Sequence, residues 1–226
     1  MTQKKTTIVI AEDHEIVRQG VKNLLEMEEN FEIIGEATNG QEAIELAKTL
    51  QPMVMIIDIG MPILNGIDAA KQIQKANPDI KIIILSAYYD DGYILKVSSL
   101  GVYGYLTKKC SPQLLIDAVR AIDTAKHFYS PEIESRMNNI QVTKIDNQGV
   151  SKVVEAALSA REKQVLQLVA EGQANKQMAD SLNISIKTIE KHRQNLMNKL
   201  MIHDTAGLTR YAISEGIIES STHAHL

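Results

Sequence analysis

The strongest constraint on the fold is a repeated alternation of strand-like and helix-like segments across the first 130 residues. Short runs rich in β-branched residues lie at 6–11, 31–37, 54–58, 81–86 and 102–107. Helical patterns follow these runs, at 15–28, 40–50, 65–76, 91–100 and 112–126. The first, third and fourth runs are continuously apolar, which is typical of parallel strands covered by helices on both faces. The pattern predicts an α/β fold with a doubly wound, five-stranded parallel sheet in the order 2-1-3-4-5.

The alternation stops before the C-terminal third of the chain. Residues 128–156 are polar and have no clean period, which predicts an interdomain linker with at most one helical turn near 131–137. From 157 onward the strand signals cease and four helices are expected, at 158–172, 175–182, 186–200 and 205–216. The second and third of these are joined by a three-residue turn, which fits a helix-turn-helix. We therefore expect an α/β domain at 5–127, the linker, and a small all-α domain at 157–220.

Several of these helices begin with residues that commonly cap them. Ser159 and Glu162 have the spacing of a capping box, and the helix that they open closes on Gly172. The other expected N-caps are Asn39, Ser111 (followed by Pro112), Asn175, Ser185 and Asp204.

Composition excludes several classes of protein. The longest apolar runs are strand-sized, far short of the roughly 20 residues that cross a bilayer. The N-terminus has a short apolar run broken by acids, so we expect no signal peptide and no membrane partner. A single cysteine, Cys110, excludes an internal disulfide and leaves no cysteine cluster for zinc. The sequence therefore predicts a cytoplasmic chain.

Net charge is unevenly distributed, at −4 over residues 1–130 and +1 over residues 151–226. This asymmetry favours different partners for the two halves. Two unrelated solvated surfaces would explain it equally well.

Polar side chains follow four of the strand-like runs. Glu12 and Asp13 end the first, Asp58 the third and Ser86 the fourth, while Lys108 follows the fifth. In an open α/β sheet, ligands bind at the carboxyl ends of the strands, beside the point where the strand order reverses. With the predicted order this point lies between strands 1 and 3. We therefore expect the three carboxylates to converge there, with Ser86 and Lys108 beside them.

Three clustered carboxylates repel one another unless a cation is present. An all-oxygen set of ligands favours a hard ion that keeps several waters, which indicates Mg²⁺ or Mn²⁺. A lysine and a hydroxyl beside such an ion suggest an incoming phosphoryl group. The chain lacks a glycine-rich loop of the nucleotide-binding kind, so a nucleotide is not the expected ligand.

The motifs AEDH, DIGMP with NG three residues on, LSA and GYLTKK resemble the receiver domain of bacterial two-component response regulators over roughly residues 5–126. The resemblance implies that Asp58 accepts a phosphoryl group from the phosphohistidine of a sensor histidine kinase. It implies that Glu12, Asp13, Asp58 and the backbone carbonyl of Gly60 hold the metal ion. It further implies that Ser86 and Lys108 contact the phosphoryl oxygens, and that Tyr105 is an aromatic switch residue.

Two positions bear on the lifetime of a phosphoryl group in this family, and here they are Gly60 and Tyr88. Gly60 has no side chain to position a water, and Tyr88 is bulky enough to shield the site. Our hypothesis is a long-lived phosphorylated state.

Residues 157–218 resemble the four-helix DNA-binding domain of LuxR/NarL-type regulators. The resemblance places helix 186–200 in the major groove and pairs helix 205–216 with its counterpart in a second subunit. The expected base-reading side chains are Glu190, Lys191 and Gln194. Candidates for phosphate contacts, which set register but not sequence, are Lys176, Lys187, Thr188, His192, Arg193 and Lys199. The implied partners are double-stranded DNA and a second copy of the chain, the homodimer forming on phosphorylation.

Glu190 departs from the Lys or Arg often found at its position. A glutamate can accept a hydrogen bond from cytosine N4–H, but it repels phosphate. Alternatively it pairs with Lys187 or Lys191 and faces water. His192 is likewise either a DNA ligand or a packed histidine.

Two other functions remain open. Aspartyl phosphotransferases of the haloacid dehalogenase type also use a strand-end Asp with Mg²⁺, but on the first strand and with a second Asp where this chain has Gly60. The other alternative is a phosphorylation-independent transcription factor with a vestigial receiver. The sequence favours a DNA-binding response regulator that assists its own phosphoryl transfer and is not a multiple-turnover enzyme.

Overall fold

The structure is a computed structural model that describes residues 5–87, 91–123, 127–137 and 158–218. The chain divides into two compact units, one built around a β-sheet and the other formed by the last four helices. No helix among the described residues is both long and apolar enough to cross a membrane.

The first unit is a parallel sheet with the strand order β2-β1-β3-β4-β5-β6. The strands are β1 (Thr6–Ala11), β2 (Phe31–Ala37), β3 (Val54–Ile57), β4 (Lys81–Ser86), β5 (Gly104–Thr107) and β6 (Phe128–Tyr129). The helices are α1 (Glu15–Glu26), α2 (Gly40–Leu50), α3 (Gly66–Ala76), α4 (Asp91–Leu100), α5 (Pro112–Arg120) and α6 (131–137), with a 3-10 turn at Ala121–Asp123. The predicted order of the first five strands is confirmed.

The predicted count of five strands is wrong, because Phe128–Tyr129 adds a sixth. Gly104 pairs with Phe128 and Tyr105 with Tyr129, so β6 covers the free edge of β5. A two-residue strand is too short to produce a periodic sequence signal. The helical turn expected near 131–137 is present as α6, and Ile133 in it is fully buried. The remaining residues of the predicted linker, 138–156, lie outside the described residues, as do the last predicted residues of helix 112–126 and Tyr88.

The core lies on both faces of the sheet, as the continuously apolar strands predict. Every residue of β3 is buried, and its side chains alternate between two clusters: Met55 and Ile57 on one face, Val54 and Ile56 on the other. Since both faces are covered, polar groups of the central strands reach solvent only at the strand ends.

The second unit contains α7 (Ala160–Ala170), α8 (Asn175–Ser181), α9 (Ile186–Leu200) and α10 (Thr205–Ser214). Ile189 and Leu196 of α9 are fully buried against α7, α8 and α10. Residues 182–185 join α8 to α9, with Asn183 in the left-handed conformation (φ 50). The arrangement is the predicted helix-turn-helix.

Most of the predicted caps are present. Ser159 and Glu162 form the reciprocal capping box, and the side chains of Asn39, Ser111, Ser185 and Asp204 each accept a backbone N–H of the following turn. The prediction for Asn175 is wrong, since the N-cap of α8 is Ala174. Gln177 accepts the Ala174 N–H instead (2.8 Å), while Oδ1 of Asn175 accepts from Arg193 (2.9 Å).

Candidate functional site

The carboxyl ends of β1 and β3 bring Glu12 and Asp58 to one edge of the sheet. The two strands are hydrogen-bonded neighbours, and the pairing continues past them as Asp58 N–H donates to the Ala11 carbonyl (2.9 Å). Glu12 N–H donates to the Ala37 carbonyl at the end of β2 (3.0 Å), and Arg18 donates to the Glu12 carbonyl (2.8 Å). Backbone bonds therefore fix both carboxylates, and both side chains are buried.

Lys108 reaches this edge from the end of β5. Its Nζ lies 2.7 Å from Oε2 of Glu12 and 3.2 Å from Oδ1 of Asp58. Its backbone N–H donates to the carbonyl of Ser86 at the end of β4 (2.8 Å). One ammonium thus bridges two carboxylates, and the site retains an excess of negative charge.

Burial, and secondly the neighbouring charges, shift the pKa of Asp58. Burial raises the pKa of Asp58 to about 6, Lys108 opposes that shift, and Glu12 and Asp13 reinforce it. Burial lowers the pKa of Lys108, but Asp58 and Glu12 raise it by more, so its net pKa lies above the usual value. Lys108 is therefore protonated at neutral pH, and the carboxylate form of Asp58 predominates.

Asp13 and His14 complete the cluster. One donor atom from each of Glu12, Asp13, His14 and Asp58 can be chosen so that all four lie within 4.8 Å of one another. Nδ1 of His14 lies 3.0 Å from Oε1 of Glu12 and 2.9 Å from Oδ1 of Asp13. Among the described residues, that buried Asp13 oxygen accepts no hydrogen bond of good geometry. His14 was not among the predicted site residues, although it adjoins the Glu12-Asp13 motif.

Gly66 is a second residue whose role the sequence did not assign. It begins α3, and its N–H donates to the Ile59 carbonyl (2.9 Å). A Cβ at this position would overlap the backbone carbonyl of Asp58. The Asn65-Gly66 pair therefore lets α3 start directly against the backbone of Asp58.

The remaining predicted residues of this site occupy different surroundings. Ser86 is fully buried at the end of β4, and Gly60 lies in the bend two residues after Asp58. Tyr105 is 1% exposed and packs in the cluster that includes Ile94, Val97 and Ile133. The ring of Tyr105 is therefore turned inward in this structure.

The second unit presents the predicted DNA-facing residues on α8 and α9. Six of them are exposed: Lys176, Lys187, Glu190, Lys191, Gln194 and Lys199. Three are half-buried: Thr188, His192 and Arg193. Together these side chains form a surface with an excess of positive charge. On α9 this surface lies beside the face on which Ile189 and Leu196 are buried.

Several of these side chains already have protein partners. Nζ of Lys199 lies 2.8 Å from Oε2 of Glu162 in the capping box of α7, and Arg193 donates to Asn175. Thr188 Oγ1 lies 2.8 Å from Ser185 Oγ. Within the described part of the chain, the side chain of Glu190 makes neither a hydrogen bond nor an ion pair, so the expected alternative of pairing with Lys187 or Lys191 is not seen there.

Two family models match the chain. The response regulator receiver domain matches residues 8–120, and the luxR family of bacterial regulatory proteins matches residues 156–212. The first match corresponds to the sheet unit, and the second corresponds to the unit formed by the last four helices.

Similar proteins match over nearly the full length. The chain is 34% identical to the transcriptional regulatory protein LiaR of Bacillus subtilis, over 91% of this chain and 95% of LiaR. It is 31% identical to the transcriptional regulatory protein DegU of Brevibacillus brevis, over 97% and 98%. It also resembles RcsB of Salmonella enterica serovar Typhimurium, solved bound to a promoter with the phosphomimetic BeF₃⁻ (TM-score 0.58, 28% identity, 92% and 98% covered). The chain therefore belongs to the NarL/LuxR-type response regulators, in which a receiver domain is followed by a LuxR-family DNA-binding domain.

Proposed function

We propose that Asp58 accepts a phosphoryl group from the phosphohistidine of a sensor histidine kinase and that this event controls DNA binding by the C-terminal helices. The observation that carries the proposal is the bridging position of Lys108 between Glu12 and Asp58. A lysine there neutralises part of the charge of the carboxylates and offers a cation to an incoming phosphoryl oxygen. The comparisons give no support to a vestigial receiver or to a haloacid dehalogenase, whose nucleophile follows the first strand rather than the third.

The residues at this edge fit a divalent cation. Lys108 contacts only two of the three carboxylates, those of Glu12 and Asp58, and the buried oxygen of Asp13 lacks a well-oriented donor among the described residues. Hard cations such as Mg²⁺ or Mn²⁺ prefer carboxylate oxygens. The side chains of Glu12, Asp13 and Asp58 would hold the ion, with the Gly60 carbonyl as a further ligand. When bound, the ion supplies charge neutralisation for a dianionic phosphoryl donor.

Phosphoryl transfer needs an ionised Asp58 at neutral pH. Its pKa of about 6 leaves the carboxylate in excess at pH 7. An oxygen of Asp58 attacks the phosphorus, and the P–N bond to the kinase histidine breaks. The leaving imidazole keeps the electron pair and takes up a proton. Lys108 and the hydroxyl of Ser86 would then hold the oxygens of the phosphoryl group on Asp58.

The signal would pass along β4 and β5. The backbone N–H of Lys108 donates a hydrogen bond to the carbonyl of Ser86 at the end of β4. Tyr105 lies in β5, the strand that directly precedes Lys108. Because Tyr105 is already buried against α4 and α6, phosphorylation would stabilise this packing rather than create it. Phosphorylation would therefore change the stability of the surface formed by α4, β5 and β6.

For the second unit, we propose that the N-terminal half of α9 enters the major groove. Glu190, Lys191 and Gln194 would read bases, while Lys176, Lys187, Thr188, His192, Arg193 and Lys199 would contact phosphates or support such contacts. RcsB was solved on promoter DNA, which supports the same use of this domain. The functional boundaries would be 157–220 for DNA binding and 5–127 for the minimal receiver domain, and β6 and α6, at the start of the predicted linker 128–156, belong to the sheet and core of the first unit. Since the net charge of 151–226 is only +1, useful affinity would require a dimer, paired through α10.

The test compares the full chain with Asp58→Asn and the matched control Asp117→Asn. Each protein is treated with acetyl phosphate and Mg²⁺, its mass is measured intact, and its binding sites are selected from random DNA. We expect a phosphoryl adduct and tighter DNA binding for the wild type and the control, and neither for Asp58→Asn. DNA binding that is unchanged by the phosphodonor would favour the phosphorylation-independent alternative. Multiple-turnover phosphatase activity would favour an enzyme.

A further inference from the structure

His14 lies within bonding distance of two acidic side chains at the receiver edge. Its Nδ1 is 3.0 Å from Oε1 of Glu12 and 2.9 Å from Oδ1 of Asp13. One nitrogen carries at most one hydrogen, so it can donate to only one of these oxygens with good geometry. The oxygen left without a well-oriented donor among the described residues is Oδ1 of Asp13. The hydrogen bond to Glu12 therefore accounts for only one of the two short distances.

The two distances are those of hydrogen bonds, and they are also compatible with the spacing of metal ligands. Adjacent ligands of an octahedral ion with bonds of about 2.1 Å lie about 3.0 Å apart, and opposite ligands about 4.2 Å apart. The Nδ1 distances of 3.0 and 2.9 Å equal such an edge, and the whole four-residue group spans at most 4.8 Å. The group is therefore compact enough for its four donor atoms to surround one ion.

The backbone holds His14 in place for this role. His14 precedes α1 in extended conformation (φ −79, ψ 111), and its N–H donates to Oε1 of Glu12 (3.1 Å). Its side chain is 67% exposed, so an ion from solvent can reach the imidazole. The same turn therefore presents Glu12, Asp13 and His14 together.

We infer that His14 supplies a nitrogen ligand to the cation at this site, which gives the site a stronger preference for transition-metal ions over Mg²⁺ than carboxylates alone would. The inference rests on the metal site of the proposed function. Imidazole binds Co²⁺, Ni²⁺ and Zn²⁺ well, whereas Mg²⁺ prefers oxygen. Removing His14 therefore lowers the ratio of Co²⁺ affinity to Mg²⁺ affinity.

The experiment is calorimetric titration of the full chain with Co²⁺ and with Mg²⁺ at pH 8. His14→Gln is compared with the wild type and with His203→Gln, which replaces an exposed histidine of the second unit. We expect His14→Gln to weaken Co²⁺ binding by at least about tenfold, since even the loss of a ligand-orienting partner typically costs that much. Mg²⁺ binding should stay within about twofold in all three proteins. Histidines near the C-terminus are common to all three proteins and cancel in the comparison.

A second readout detects the bond itself. Pulsed electron paramagnetic resonance of the Mn²⁺-loaded protein should show coupling to a histidine nitrogen in the wild type and His203→Gln, and none in His14→Gln. If His14 is only a counter-ion to the carboxylates, His14→Gln would change both affinities by the same factor and no nitrogen coupling would appear, which overturns the inference. If the wild type binds Mg²⁺ and His14→Gln leaves the ratio of Co²⁺ affinity to Mg²⁺ affinity unchanged, only the inference fails. If the wild type binds neither ion, the metal site of the proposed function fails as well.

Discussion

Lys108 and Asp58 are in contact although the strands that carry them are not neighbours in the sheet. Nζ of Lys108 lies 3.2 Å from Oδ1 of Asp58, while β4 separates β5 from β3. The contact is possible because parallel strands end at the same edge, and the long lysine side chain spans the end of β4. The position of this ammonium determines how much of the negative charge at the site is compensated.

Replacing Lys108 with Met should raise the pKa of Asp58 above its value of about 6 in metal-free protein, because Lys108 is the main group that lowers it. Proton binding by Asp58 then competes with its attack on phosphorus at pH 7. We expect phosphorylation by acetyl phosphate to slow by at least about tenfold, equivalent to about 1.4 kcal/mol in the barrier. A carbon-13 NMR titration of the Asp58 carboxyl group in the presence of a chelator measures the pKa.

The matched control for that experiment is Lys109→Met, which removes the same charge from an exposed neighbour. It should leave the pKa of Asp58 and the phosphorylation rate nearly unchanged. An equal effect of the two substitutions would mean that net charge, rather than the Lys108 contact, controls the site.

Replacing Gly66 with Ala should damage the site through packing, since the added Cβ would overlap the carbonyl of Asp58. Overpacking typically costs about 1–3 kcal/mol, and here the displaced atoms belong to the residue that we propose accepts the phosphoryl group. Denaturant unfolding should show the loss of stability, and the acetyl phosphate assay should show reduced labelling.

Gly20→Ala is the matched control for Gly66→Ala, with the opposite expected sign. A Cβ at Gly20 meets nothing within 4 Å, and the residue lies inside α1. Alanine in a helix is favoured over glycine by about 0.5–1 kcal/mol, so this variant should unfold at a higher denaturant concentration. Equal destabilisation by both variants would contradict the packing argument.

Glu162 should make the second unit sensitive to acid. Burial raises the pKa of its carboxyl group, but Lys199 and the Ser159 N–H and hydroxyl lower it by more, so the net pKa lies below its ordinary value of 4.5. A depressed pKa in the folded state contributes stability above the unfolded pKa, and that contribution is lost as the pH falls through the folded pKa. Glu162→Gln should lower stability by about 1–2 kcal/mol near pH 7 and remove this part of the acid dependence.

Unfolding of the second unit, followed by circular dichroism from pH 7 down to pH 3, tests the role of Glu162. Glu190→Gln is the control, because Glu190 is exposed and has no ion pair within the described residues. An acid profile of Glu162→Gln that matches the wild type would show that the Glu162–Lys199 contact contributes nothing to stability.

Much of the sheet follows from its sequence because long apolar runs between polar residues define both the strands and their ends. The bounds of β1, β2 and β4 agree with the apolar runs, and the strand order brings Glu12, Asp58 and Lys108 together as expected. The capping of α2, α5, α7, α9 and α10 was also predictable, since a polar side chain before a helix has one strong local use.

What could not be predicted depends on contacts distant in sequence. The prediction that Asn175 caps α8 is wrong because Arg193, 18 residues later, donates a hydrogen bond to the side-chain oxygen of Asn175. Lys199 stays a predicted phosphate contact, but its ion pair with Glu162, 37 residues earlier, has no signal in the sequence. β6 was missed because its pairing with β5 depends on a free strand edge and not on a periodic pattern. The role of Gly66 becomes clear only when the backbone of Asp58 is seen against it.

Ile133 should be as important to the first unit as a residue of the central sheet. It is fully buried and shares a cluster with Tyr105, although it lies within the stretch predicted to be a linker. Ile133→Ala should destabilise the unit by about 2–5 kcal/mol, the usual cost of a large-to-small change in a core. Leu95→Ala in α4 removes a similar volume from a 37% exposed position and should cost far less. If Ile133→Ala is as mild as Leu95→Ala, α6 is not part of the folded core.

The proposed roles of α9 separate into base reading and phosphate binding, and two variants distinguish them. Glu190 is exposed and unpaired within the described residues, so its carboxylate is free to accept from cytosine N4–H. Glu190→Ala should relax base preference at one position of the selected site, by about 1–3 kcal/mol of discrimination. Lys176→Ala should weaken binding equally on all sequences and reduce the salt slope by about one. An unchanged base preference for Glu190→Ala would mean that the side chain faces water in the complex, and the specificity would then rest on Lys191 and Gln194.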